Sequence, residues 1–82
     1  MNFQKICVIG LGYIGLPTAS TFAAHGINVL GVDISQRIID TLNQGEIHIH
    51  EPGLHEEVKK AIQSGNFKAA TKPEEADAFI IA

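Results

Sequence analysis

Six consecutive residues, Gly10-Leu11-Gly12-Tyr13-Ile14-Gly15, restrict what this chain can become more than any other feature. They follow a continuous apolar run, Ile6-Cys7-Val8-Ile9. A short run of that kind reads as a strand buried on both faces, as in a parallel sheet. The spacing G-x-G-x-x-G then predicts a tight turn out of the strand and directly into a helix. Gly10 permits the turn, where a side chain would be strained. Gly12, lacking a Cβ, lets the backbone come close to a bound pyrophosphate, and Gly15 lets the helix pack tightly on the strand. The helix is expected to open near Tyr13–Ile14 and to run to His25, with Pro17 tolerated in or near the first turn. Gly26 is its natural stop, and Ala19 and Ala23, four residues apart, keep it close to the sheet.

A glycine hexapeptide alone is weak evidence, because glycine is common. Here it sits inside a strand–loop–helix–strand unit running from Phe3 to Asp33. The second strand, Ile27 to Val32, ends at Asp33, 18 residues beyond Gly15. A dinucleotide-binding unit carries an acidic residue at about that distance, where it accepts hydrogen bonds from the adenosine ribose. Amide groups and the dipole at the helix N-terminus favour the pyrophosphate charge. A carboxylate at position 33 repels a 2′-phosphate, so the expected cofactor is NAD rather than NADP. Arg37, four residues later, is the one group that complicates this preference, since an arginine near the ribose can meet a 2′-phosphate. The plain alternatives are a glycine turn without a ligand and, for Asp33, a helix N-cap, although Ser35 is already available for that role.

Beyond Asp33 the pattern continues to alternate. Ser35 is expected to cap a helix whose apolar positions are Ile38, Ile39 and Leu42, and Gly45 ends it. Residues 46–52 read as a connection. Leu54, Val58, Ala61 and Ile62 recur at helical spacing up to Gly65. Phe67–Thr71 reads as a third strand, Lys72–Ala76 as a turn or a single helical turn, and Ala78–Ala82 as a fourth strand. Strands alternating with helices indicate an α/β fold, a Rossmann-type parallel sheet with flanking helices and strand order 3-2-1-4. With 82 residues there is room for one domain, and a chain of that size buries only about 60–65 % of its unfolded surface. The apolar run reaches the last residue, so residues 1–82 are expected to be the N-terminal portion of an NAD-binding domain in a longer protein. An exposed apolar edge at residues 78–82 is then a template for strand pairing, and self-association is expected.

Several functions are disfavoured. Nine acidic residues against six basic ones give a net charge of −3, which offers no footprint for nucleic acid or anionic membrane. No apolar run approaches the roughly 18–20 residues needed to span a bilayer, and glycines interrupt the first run before it can serve as a signal peptide. A cytoplasmic protein is expected, in keeping with a single cysteine. Cys7 lies inside the first strand and reads as a small buried hydrophobe rather than a nucleophile. His48, His50 and His55 lie near Glu51 and Glu56 but show no compact ligand motif, so the segment reads as a solvated loop and no metal site is expected. His25 suits the dipole at a helix end. Glu56-Glu57 and Lys59-Lys60 read as an exposed helix face with pairs at i, i+3 and i, i+4. No complete catalytic set is present.

The run Val8-Ile9-Gly10-Leu11-Gly12-Tyr13-Ile14-Gly15-Leu16-Pro17 resembles the opening of the UDP-glucose/GDP-mannose dehydrogenase family. So do Gly31-Val32-Asp33, Gly45-Glu46-Ile47-His48-Ile49 and the more specific Glu51-Pro52-Gly53-Leu54. The resemblance covers essentially the whole chain, but only the start of a family member, and is strongest to members acting on UDP-N-acetylmannosamine. It implies an oxidoreductase of bacterial polysaccharide biosynthesis that converts the C6 alcohol of a UDP-sugar to a carboxylate in two NAD-dependent steps. The family's catalytic cysteine and lysine lie downstream of these residues, so this portion alone is expected to be inactive. Carried over residue by residue, the resemblance implies cofactor contacts at Gly10, Gly12, Tyr13, Ile14 and Gly15, a ribose contact at Asp33, and Arg37 on the adenine side. It implies NAD and a UDP-sugar as partners, and a homo-oligomer. The alternatives are the cofactor-binding part of a β-hydroxyacid dehydrogenase and a non-catalytic NAD-sensing module. The Glu-Pro-Gly-Leu element argues against the first.

Overall fold

A computed structural model of the chain describes residues 4–82. Phe3, the expected start of the first unit, lies outside the described residues. The elements run β1 (Lys5–Ile9), α1 (Gly15–Ala24), β2 (Asn28–Val32), α2 (Gln36–Asn43), α3 (Leu54–Ser64), β3 (Phe67–Ala70) and β4 (Ala78–Ile81). All strands are parallel and their order is β3-β2-β1-β4, as the alternating pattern predicts. Sequence spacing also locates the punctuation. The Ser35 hydroxyl accepts from the Ile38 N–H at the start of α2, and Gly65 closes α3. Two local expectations shift. α1 begins at Gly15, with Ile14 as its N-cap, rather than at Tyr13–Ile14. Residues 72–76 form no helical turn.

The sheet divides its side chains by alternation. Ile6 and Val8 of β1, Val29 of β2, and Phe67 and Ala69 of β3 face a core shared with Leu16, Ala19 and Ala23 of α1, Ile39 and Leu42 of α2, and Val58 and Ala61 of α3. The close approach of α1 follows from its alanines, both of which are buried. Phe67 is fully enclosed, and burying such a side chain contributes about 1.5–3 kcal/mol. The opposite face is smaller. Cys7, Leu30 and Val32 pack there with Ile9, Ala70 and Ala76. Burial pushes the Cys7 thiol up from its ordinary value, which fits the apolar role expected for it. Residues 71–77 strap this face between β3 and β4: Glu74 pairs with Lys5 at 2.7 Å, and the Asp77 carboxylate accepts from the Gln4 and Lys5 N–H groups.

The two edges of the sheet are finished differently. On β3, the Asn43 side-chain amide donates to the Ala69 carbonyl at 2.9 Å and accepts from the Ala69 N–H at 3.1 Å. On β4, Ala78 and Ile80 pack against the main core, while Phe79 and Ile81 turn to the other face and stay 53 % and 82 % exposed. The apolar run at 78–82 is therefore half core and half surface.

Two readings of the surface need correction. The 46–52 connection is not a solvated loop: Ile49 is buried, Ile47 packs on the core, and His48 is half-buried. The charged face of α3 does not form its expected internal pairs. Among the described residues the ion pairs are Lys5–Glu74 and His55–Glu46, and Glu57 instead accepts from Thr21 of α1. Exposed pairs of that kind contribute little, so their absence costs the fold almost nothing. No helix is long and apolar enough to cross a membrane among the described residues.

Candidate functional site at the glycine loop

The loop between β1 and α1 opens at the C-terminal ends of the parallel strands, where the sheet order turns from β1 to β4 on one side and β2 on the other. Open α/β sheets receive ligands in that crevice. A cleft of about 300 Å³ lies there, lined by Gly10, Leu11, Gly12, Tyr13, Ile14, Gly15, Asp33 and Ala82. Six of the seven residues singled out from the sequence thus come together. Arg37 does not: it is exposed at the start of α2 and is not part of the cleft lining.

The three glycines have separate structural reasons. Gly10 has φ +97°, a left-handed conformation that disfavours any side chain, and its N–H bonds the Val32 carbonyl at 2.8 Å. At Gly15 a Cβ would lie 1.6 Å from the Gly10 carbonyl oxygen, so helix and strand end could not both keep their places. Gly12 is the exception. A Cβ there would meet no atom within 4 Å, and its φ lies outside the left-handed region. Neither packing nor backbone strain within the chain calls for glycine at position 12. The space that a side chain would fill belongs to the cleft, which fits close approach of an external group.

The hydrogen-bonding character of the loop fits an anion. Leu16 and Thr18 donate to Gly12 and Ile14, starting the helical ladder, whereas the N–H groups of Gly12, Tyr13, Ile14 and Gly15 have no protein acceptor among the described residues. Unpaired amides at a helix N-terminus, together with the helix dipole, form a ready site for negative charge. Tyr13 and Ile14 flank these amides and are 66 % and 74 % exposed.

Asp33 is fixed by the backbone around it. Oδ2 accepts from the Leu11 N–H at 3.1 Å, and Oδ1 accepts from the Ser35 N–H at 3.1 Å. The Leu11 bond above all, helped by the Ser35 bond, holds the carboxyl below the usual carboxylate range against the opposing effect of partial burial. The group is therefore an anion throughout the neutral range, and each oxygen retains acceptor capacity for a second donor. Its helix-capping alternative is not realised, because Ser35 caps α2.

Other residues of the site came from outside the motif. His48 Nε2–H donates to the Leu11 carbonyl across 37 residues of sequence. The Leu11 side chain is fully buried beneath the loop, and a Cβ at Gly31 would come within 3.0 Å of it. The sequence marks His48 by its place between two isoleucines and within the Gly45–Ile49 segment of the family resemblance, and neither names its partner.

Residues 4–82 match the family model described as UDP-glucose/GDP-mannose dehydrogenase family, NAD binding domain. The chain is 62 % identical over 81 residues to UDP-N-acetyl-D-mannosamine dehydrogenase of Campylobacter jejuni, a match covering 99 % of this chain and 20 % of that protein. It is 54 % identical over 82 residues to NDP-N-acetyl-D-galactosaminuronic acid dehydrogenase of Ralstonia nicotianae, covering 100 % and 19 %. Its fold matches the structure of a UDP-N-acetyl-mannosamine dehydrogenase from Staphylococcus aureus with a TM-score of 0.93 and 56 % identity, over 95 % of this chain and 19 % of that one. The chain spans about one fifth of the length of the curated relatives it matches.

Proposed function

The chain belongs to the UDP-glucose/GDP-mannose dehydrogenase family, in its NAD binding domain, and from that premise we propose that its glycine loop seats the pyrophosphate of NAD within an enzyme that oxidises a UDP-sugar. The observation that carries this reading is the open face of Gly12 beside four amides without protein acceptors. In this reading the N–H groups of Gly12 to Gly15 hold the pyrophosphate, Tyr13 and Ile14 border it, Gly10 and Gly15 shape the turn, and Asp33 accepts from the ribose hydroxyls. Arg37, exposed on α2, approaches the adenine side from outside the cleft. When bound, NAD supplies the hydride acceptor. The chain's own part is to bind and orient it.

Residues 1–82 serve as the N-terminal portion of the NAD-binding domain. The substrate is UDP-N-acetylmannosamine, whose C6 alcohol becomes a carboxylate with two NAD reduced. The 62 % identity to the Campylobacter jejuni enzyme supports that sugar. A cytoplasmic location goes with a cofactor and a sugar nucleotide that are both cytoplasmic solutes. Self-association of the longer protein is part of the same reading. Turnover of UDP-N-acetylmannosamine by the longer protein, with two NADH formed per sugar, tests the reaction. Turnover of a galactosamine nucleotide alone would overturn the choice of sugar, and NAD binding without turnover of any UDP-sugar would favour a sensing module.

For the chain itself the experiment is calorimetric titration with NAD and NADP in parallel. NAD is expected to bind more tightly. Asp33→Ala should weaken NAD by at least about tenfold, the scale of one hydrogen bond to a charged acceptor, and narrow the preference over NADP. Unchanged affinity and selectivity would remove Asp33 from the ribose.

A further inference from the structure

We infer that His48 is a positioning residue of the glycine loop, holding the Leu11 carbonyl while Asp33 holds the Leu11 N–H. This rests on the reading of the loop as a dinucleotide site. Leu11 is fixed at three points: its side chain is fully buried, its N–H bonds Asp33 Oδ2, and its carbonyl accepts from His48 Nε2–H. The two peptide groups flanking Leu11, the residue immediately before Gly12, are thereby each held by a side chain, from residues 22 and 37 positions away in sequence.

The choice of the Leu11 carbonyl has a consequence for the helix. It lies four residues before Gly15 and is the acceptor a longer helix would use for the Gly15 N–H. The ladder instead starts with Leu16 on Gly12. The Leu11 carbonyl accepts from His48 and not from Gly15, α1 begins one or two residues later than the sequence pattern predicts, and the Gly15 N–H has no acceptor among the described residues. The ring has no other assignment, since Nδ1 is buried without a hydrogen-bond partner among the described residues. The bond to Leu11 also fixes the tautomer, with the proton on Nε2. His48 itself is outside the cleft lining, so it acts through the loop and not on the ligand.

Two variants and two readouts test this. The wild-type chain, His48→Leu and His48→Gln are followed by amide hydrogen exchange and by NAD titration. His48→Leu should speed exchange at the Leu11 N–H by about three- to tenfold, because loss of the carbonyl anchor makes Leu11 open more often although its N–H keeps Asp33 as acceptor. Val8 and Leu30, in the centre of the sheet, should keep their protection. His48→Gln, which retains an N–H donor of similar reach, should restore Leu11. NAD affinity should follow the same order, three- to tenfold weaker in His48→Leu and within about twofold of wild type in His48→Gln. Exchange at Leu11 that does not change, or that rises equally at Val8 and Leu30, overturns the proposal, because the latter marks general destabilisation. If His48→Leu does not fold, the nitrogen resonances of the wild-type imidazole decide: a proton on Nδ1 and not on Nε2 overturns it, and Nε2–H supports it. Failure of the wild-type chain to bind NAD would count against the dinucleotide reading of the loop, while the exchange at Leu11 still decides whether His48 clamps it.

Discussion

Gly12→Val should abolish NAD binding and leave the fold intact. The position is exposed, its φ is outside the left-handed region, and a Cβ would touch nothing within 4 Å. A substitution at such a position usually changes stability by no more than about 0.5 kcal/mol. The valine branches would instead occupy the cleft beside the unpaired amides and hold a pyrophosphate off the backbone. A loss of at least about 100-fold in affinity is expected, since close backbone approach is what the second glycine provides. Calorimetric titration and thermal unfolding of the same sample check both halves. Tight binding by the valine variant would mean that the loop does not contact the pyrophosphate. A large fall in melting temperature would mean that Gly12 has a structural task not visible in its surroundings.

Gly15→Ala should do the reverse. One methyl group there would sit 1.6 Å from the Gly10 carbonyl oxygen and 2.8 Å from the Gly10 carbonyl carbon. Both are backbone atoms in a turn already held by the Gly10–Val32 hydrogen bond, so neither moves cheaply. Overpacking of side chains commonly costs about 1–3 kcal/mol, and a clash with backbone belongs at or above the top of that range. A chain of this length has a net stability of about 4–12 kcal/mol. The alanine variant should therefore melt at least about 15 °C lower, or fail to fold. A melting temperature within a few degrees of wild type would show that α1 can slide away from β1 more freely than its buried alanines imply.

The contrast between these glycines shows what the sequence could reveal. The unit from β1 to Asp33 was legible because its determinants are local: an apolar run, glycines at fixed spacing, and an acidic residue at the next strand end. Strand order followed from the same alternation. What escaped depended on distant contacts. His48 bonds a residue 37 positions away, and nothing in Ile47-His48-Ile49 names that partner. The outward turn of Phe79 and Ile81 depends on which face the helices cover, which an unbroken apolar run does not encode. The charges of α3 satisfied the spacing for internal pairs, yet Glu57 turned to Thr21 because α1 packs alongside. Arg37 was close to Asp33 in sequence but lies outside the cleft lining.

The sheet is also one-directional. On β3 a single side-chain amide does the work of a neighbouring strand, giving and taking one hydrogen bond with Ala69 as a backbone would. Growth on that side would have to displace Asn43 and the end of α2. On β4 no such imitation exists among the described residues, and Phe79 and Ile81 offer apolar surface beside the free edge. Any strand added to this sheet, by the same protein or by another copy, therefore meets a blocked end and an open one. Its direction of extension follows from an asparagine that takes no part in lining the cleft.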